Sequence, residues 1–240
     1  MNYPLLVPAA GKGKRLMPYT KDVPKVLLEY NGKPALEYVF DVAEKMCVEE
    51  IFVVTGYQGG KVKQYVNEHK RNFDISFIEL NELKGLVYAI SKAEPYVKGR
   101  PFIKIDGDEI HINSRHKEFV DFCRKNNPDC VCGILNVENK DVVKKNFSVE
   151  LNNDNNIERL VEKPEITPNN LLGVGTTFYQ PFVFDYIGRT PVDPRTGEKT
   201  TAELIMEMVK DGKKVSVFDL GGSYAHLNHT EDLKNWRVLK

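Results

Sequence analysis

Apolar and polar positions along the chain switch between a strand period and a helix period. Leu5–Val7 is a short apolar run of the buried-strand kind, Ile51–Thr55 is β-branched, and Ile75–Leu80 reads as a further short strand. Between the first two the spacing turns helical. Pro34, following a tight turn at Asn31-Gly32, opens a segment with Leu36, Val39, Phe40, Ala43 and Met46 on one face. Lys61–Lys70 predicts a more polar helix. Pro101–Asp108 is the next strand, and Ser114–Asn127 is a capped helix that turns Phe119, Val120, Phe122 and Cys123 inward. Asp129–Val137, Phe147–Leu151 and Ile157–Val161 read as strands, the last two joined by the turn-rich Asn152–Asn156. Thr200–Lys210 is an amphipathic helix and Val215–Leu220 a strand. Strands alternating with helices through the first half predict a largely parallel sheet covered on both faces.

The chemistry starts where the first strand ends. Gly11 and Gly13 let the backbone turn sharply and aim its N–H groups at a ligand, while Lys12, Lys14, Arg15 and Lys25 add fixed positive charge. That combination suits a polyphosphate; the plainer reading is a solvated basic turn. Two better-known phosphate loops are excluded. A dinucleotide fingerprint needs a third glycine where Leu16 stands, and a Walker loop needs Ser or Thr where Arg15 follows Gly13-Lys14. At the end of the 101–108 strand, alternation puts Asp106 and Asp108 on one side with Gly107 between them. Ligands of open α/β sheets sit beyond the carboxyl ends of strands, and paired carboxylates there suit Mg²⁺.

Composition narrows the partners. Over 240 residues, 34 Lys and Arg balance 34 Asp and Glu, so no global field recruits nucleic acid or an anionic membrane. No apolar run has the length of a membrane span and Met1–Ala10 lacks the pattern of a signal peptide. Four cysteines, none in zinc-like spacing, point to reduced thiols and a cytoplasmic protein.

Pro8–Leu16 and the residues from there to Lys25 resemble the signature of the sugar-1-phosphate nucleotidylyltransferases, the glucose-1-phosphate thymidylyltransferase-like NTP transferases. That signature reads Leu-Ala-Gly-Gly-x-Gly-Thr-Arg-Leu-x-Pro-x-Thr, with Pro-Lys some eight residues on. Ala9, Gly11, Gly13, Arg15, Leu16, Pro18, Thr20, Pro24 and Lys25 are in register, and Pro8, Ala10 and Lys14 depart from it. Further along, Gly107-Asp108, Glu162-Lys163-Pro164, Val174-Gly175 and Glu231-Asp232-Leu233 match later motifs. Where relatives carry a base-reading Gln, this chain has Glu82, three residues before the matching Gly85; an ionised carboxylate only accepts hydrogen bonds, which favours a base edge rich in donors, and the plainer reading is a solvent-facing loop acid. Where they carry a late metal-binding Asp, it has His226, with Asn228 in place of a Gly.

The resemblance implies a three-layer α/β/α fold around a mostly parallel mixed sheet. It implies one nucleotidyltransferase domain over 1–240, without the hexapeptide-repeat domain of some relatives. The implied reaction joins a nucleoside triphosphate to a phosphorylated small-molecule acceptor, a sugar 1-phosphate, and releases pyrophosphate. In it Arg15 holds the triphosphate and the departing pyrophosphate, and Lys25 and Lys163 the incoming phosphate. Ala9, Ala10, Gly11, Gly13, Glu82 and Gly85 line the nucleotide; Glu162, Lys163 and Gly175 line the acceptor. Asp108 ligates Mg²⁺, with Asp106, His226 or Asn228 completing the set, or Mn²⁺ if His226 is the ligand. Three alternatives stay open: a cytidylyltransferase for a non-sugar phosphate such as phosphocholine, a non-catalytic sensor, and a metal-dependent hydrolase built on His226-x-x-His229. An oligomer is compatible with all of them.

Overall fold

The two periods resolve into thirteen strands and seven α-helices in a computed structural model that describes residues 2–69 and 71–227. The strands are β1 (Leu5–Pro8), β2 (Glu29–Tyr30), β3 (Lys33–Pro34), β4 (Glu50–Thr55), β5 (Asp74–Glu79), β6 (Phe102–Lys104), β7 (Glu109–Ile112), β8 (Cys130–Asn136), β9 (Phe147–Leu151), β10 (Ile157–Glu162), β11 (Leu171–Tyr179), β12 (Val215–Asp219) and β13 (Ser223–His226). The helices are α1 (Ala35–Lys45), α2 (Gly59–Glu68), α3 (Leu86–Ser91), α4 (Glu94–Val97), α5 (His116–Asn126), α6 (Val183–Ile187) and α7 (Thr201–Lys210).

Nine strands form one sheet in the order β10-β9-β11-β6-β1-β4-β5, with β8 alongside β11 and β12 alongside β8. Pairing is parallel from β6 through β1 and β4 to β5, and antiparallel from β6 through β11 and β9 to β10, so the sheet is mixed as expected. Alternate residues of β1 and β4 feed two cores. Leu5, Val7, Ile51 and Val53 pack under α1, α2 and α5, with Phe40, Val62 and Phe119 among the buried partners. Leu6, Phe52 and Val54 face the other way, under α3, α4, α6 and α7, against Ile90, Val97, Tyr186 and Leu204. Each such side chain contributes about 1.5–3 kcal/mol by leaving water.

Three local results differ from the sequence pattern. The strand expected over Pro101–Asp108 ends, as regular structure, at Lys104, but its bonding to β1 goes on: Ile105 N–H donates to Leu6 O and Gly107 N–H to Pro8 O, both at 3.0 Å. Ser114 does not cap α5; its hydroxyl lies 2.8 Å from His116 Nδ1, whose other nitrogen meets Thr176 Oγ1 at 2.9 Å. Burial pushes that imidazole's pKa well down and keeps it neutral. The nine-residue β11 is invisible to periodicity because both of its faces are buried and glycines stand at 173 and 175. Thr200 caps α7 in a capping box with Glu203.

Gly173 is required by close packing: a Cβ there would run into the ring of Phe147 on β9. Gly173→Ala should therefore cost about 2 kcal/mol, as overpacking does, and lower Tm by about 4–8 °C for a chain of this size. In a Phe147→Leu background the same change should cost clearly less in a thermal-melt double-mutant cycle. Additive losses would disprove the clash.

Candidate functional site

The loop after β1 and the turn after β6 come together because their strands are neighbours in the sheet. Gly13 takes a left-handed conformation with φ +59°, and its carbonyl accepts from the Thr20 hydroxyl at 2.9 Å, closing the loop on itself. Among the described residues, the N–H groups of Ala10, Gly11, Lys12 and Gly13 donate to no backbone carbonyl, which leaves them for an anion. Lys25 follows Pro24 into a 3-10 turn and is ion-paired with Asp108. At Gly107, a Cβ would stand 2.9 Å from Pro8 O, so the turn carrying Asp108 lies directly on the end of β1.

A cavity of about 540 Å³ opens over these ends. Of the residues singled out from sequence, Ala9, Ala10, Gly11, Gly13, Arg15, Lys25, Gly85, Asp106, Asp108, Glu162, Lys163, Gly175 and His226 all line it. Glu82 does not. It is exposed and ion-paired with the equally exposed Lys84, outside the cavity wall, so the carboxylate expected at the base is on the surface. Asn228 lies outside the described residues. A different carboxylate lines the cavity beside Gly85: Glu198, so close that a Cβ on Gly85 would sit 2.7 Å from its Oε2. Gly85 itself has φ +89° and starts α3. No sequence signal marks Glu198, which arrives from the connection between α6 and α7. That connection is held by Arg195, whose Nη2 donates to Asp193 Oδ2 at 2.9 Å and to Glu162 O at 3.1 Å.

Around Asp108 the side chains form one hydrogen-bonded chain. Gly175 N–H donates to Glu109 Oε1 at 2.7 Å, and the Tyr224 hydroxyl donates to the same oxygen at 2.5 Å. Asn146 Nδ2 donates to Tyr224 Oη at 3.0 Å, which turns its Oδ1 toward His226 Nδ1 at 3.2 Å. His226 Nε2 lies 3.2 Å from Asp108 Oδ2. Burial would raise the Asp108 carboxyl, but Lys25 and His226 hold its pKa far below the usual carboxylate range. Burial is likewise opposed at Glu109, where His111 and Tyr224 lower the pKa. For Asp106 burial prevails, against Lys104, and the pKa is pushed up to about 6; the Glu162 carboxyl is raised for the same reason.

The donor set bears on a metal. Among the described residues no cluster of three or more His, Cys, Asp and Glu side chains is arranged as a cage. Mg²⁺ needs none when one or two carboxylates and substrate phosphates ligate it, and Asp108 fits that role. His226 fits less well, since the nitrogen nearest the site is turned onto a carboxylate oxygen. Asp106 has one oxygen on Lys104 Nζ at 2.8 Å. Sequence reasoning missed Lys104, Glu109 and Asn146. A lysine inside the apolar run Phe102–Ile105 was the one available signal.

No helix among the described residues is long and apolar enough to cross a membrane. The solved structure of UDP-glucose pyrophosphorylase complexed with UDP-glucose superposes with a TM-score of 0.85 at 24% identity, over 96% of this chain and 95% of that one, a likeness of fold. The UTP–glucose-1-phosphate uridylyltransferase AglF of Haloferax volcanii is 29% identical over 228 residues, 95% of this chain and 92% of its own length. The bifunctional protein GlmU of Methanocaldococcus jannaschii is also 29% identical over 228 residues, and there the chain spans about half of the relative, 52%. The model of the family described as nucleotidyl transferase matches residues 5–236, nearly everything from β1 onward, and the chain belongs to that family.

Proposed function

We propose that the protein joins a nucleoside triphosphate to a sugar 1-phosphate, giving a nucleotide-sugar and pyrophosphate. The observation that carries this reading is one cavity that brings the Gly11–Arg15 loop and the Glu162-Lys163 strand end together around the Lys25–Asp108 pair. One wall offers N–H groups and cations to a triphosphate. The Glu162-Lys163 strand end pairs a cation with a carboxylate for a phosphorylated, hydroxyl-bearing acceptor. The names of relatives such as AglF support the same chemistry.

In the reaction an oxygen of the acceptor phosphate attacks the α-phosphorus. A new P–O bond forms, the bond from the α-phosphorus to the bridging oxygen breaks, and pyrophosphate leaves with that oxygen and its electron pair. No proton has to move. The protein's work is to bring two anions together and to offset charge at the α-phosphoryl group. Arg15 and the loop N–H groups hold the β- and γ-phosphates; Lys25 and Lys163 guide the acceptor phosphate; Glu162 takes sugar hydroxyls. Asp108 would hold a divalent cation, Mg²⁺ by the hardness of its oxygen donors, and such a cation supplies further charge neutralisation between phosphates. The hydrogen-bonded chain from Gly175 to His226 fixes Asp108 before substrates arrive.

The deciding assay measures pyrophosphate release for four triphosphates against a panel of phosphorylated acceptors. Release should require both partners; binding without turnover would indicate a sensor, and release without acceptor a hydrolase. Arg15→Ala and Lys25→Ala should each lower kcat/KM by about 10²–10³, with unchanged circular dichroism. Near wild-type rates in Arg15→Ala would displace the triphosphate from this loop, and in Lys25→Ala the acceptor phosphate from Lys25. Asp108→Asn should abolish turnover in Mg²⁺ and Mn²⁺ alike, whereas His226→Gln should be milder in Mg²⁺; full Asp108→Asn activity in chelator would refute the metal role. For the base, Glu198→Gln should change the relative rates with the four triphosphates, and Glu82→Gln should leave them as they are. The reverse pattern would return base reading to Glu82.

A further inference from the structure

Lys104 is the one charged residue of β6, and its side chain is only 2% exposed. A buried ion pair seldom stabilises a fold more than apolar side chains of the same volume would. The pair it forms with Asp106 therefore asks for a use, and the geometry supplies one. Lys104 Nζ donates to Asp106 Oδ1 at 2.8 Å, which fixes the carboxylate plane. The second oxygen, Oδ2, is turned toward Gly175: a Cβ added to that glycine would collide with it, and would stand 2.8 Å from Glu109 Cδ. Lys104, Asp106, Gly175 and Glu162 all line the cavity. Asp106 is near enough to Glu162 to help raise the Glu162 carboxyl's pKa. Glu109 is spoken for by Gly175 N–H and Tyr224, and Glu162 has Lys163 at 3.7 Å. Asp106 Oδ2 is thus an acceptor held over the bare face of Gly175, at the acceptor end of the cavity.

We propose that Asp106, pinned by Lys104, is a specificity-determining residue that accepts a hydrogen bond from one hydroxyl or amino group of the phosphorylated acceptor. The inference rests on the proposed transferase reaction and narrows its substrate class. The acceptor carries a hydrogen-bond donor that reaches Asp106 Oδ2, as a sugar phosphate does. A quaternary ammonium group has no such donor and is commonly held by an aromatic cage. Among the described residues the cavity wall offers one aromatic carbon ring, Phe147. Asp106 is accordingly a reader of the acceptor and not a ligand of the cation at Asp108.

The test uses the acceptor and triphosphate that give the fastest pyrophosphate release, with single-deoxy analogues of that acceptor. Asp106→Ala should raise the KM for the acceptor at least about tenfold and leave the KM for the triphosphate unchanged, since a site built to bond a hydroxyl loses that much when the bond is lost. Asp106→Asn, which keeps an oxygen and the packing, should lose less. One deoxy analogue should be at least about tenfold poorer with the wild type and less than about twofold poorer with Asp106→Ala. The Mg²⁺ concentration for half-maximal rate should be the same in all three proteins. The proposal is overturned if every analogue loses as much in the variant as in the wild type, if the triphosphate KM rises instead, or if the Mg²⁺ requirement shifts. Should the wild type release no pyrophosphate with any pair, the transferase reading falls. Calorimetric binding of the same sugar phosphates to wild type and Asp106→Ala then decides the role of Asp106 by the same comparison.

Discussion

Lys25 and Asp108 form the contact on which the rest of the site depends. One comes from the loop after β1 and the other from the turn after β6, and the strands are parallel neighbours. The lysine and the aspartate are each largely withdrawn from water, at 14% and 18% exposure, and removal of Lys25 leaves Asp108 with His226. The pair survives because the backbone has already brought its members together through the bonds from Ile105 and Gly107 to Leu6 and Pro8. It also sets the electrostatic tone of the cavity. Asp108 stays ionised beside Lys25 and His226, and the side-chain chain through His226, Asn146 and Tyr224 to Glu109 is anchored on it.

The second organising constraint is steric. Three glycines, one of them on the cavity wall at 175, have no room for a side chain: Gly107 against Pro8 O, Gly173 against Phe147, and Gly175 against Asp106 and Glu109. Where Cβ atoms are missing, strands and turns approach closely enough for acids and bases from four elements to share one small volume. That crowding, more than any single residue, distinguishes this cavity from an ordinary strand-end cleft.

Much of this was legible in the sequence, for definite reasons. The Leu5–Leu28 stretch announces itself because its chemistry is local: strand, glycines and cations follow one another within a single loop. The first half of the fold was readable because parallel strands alternate with helices of clear 3.6 period. What stayed hidden is non-local. β11 has no alternation to read because it is buried on both faces. Glu82 matched an expected position along the chain, yet the loop turns it out to Lys84, and Glu198 comes in from more than a hundred residues away. Asn146 and Glu109 look like a loop amide and a strand acid until the antiparallel pairing of β13 with β7 brings Tyr224 and His226 to them.

Gly175 carries a consequence for how such a protein can change over time. Its bare Cα leaves space that Asp106 and Glu109 have already filled, so no side chain fits at position 175 while both acids stay. The three positions are locked as a set. A lineage moving to a bulkier residue at 175 would first need a smaller one at 106 or a retreat of 109, and either step alone strips a partner from Lys104 or from Tyr224. Drift toward a different acceptor should therefore proceed in coupled pairs of substitutions, and a comparison of diverged sequences should find residues 106, 109 and 175 varying together or not at all.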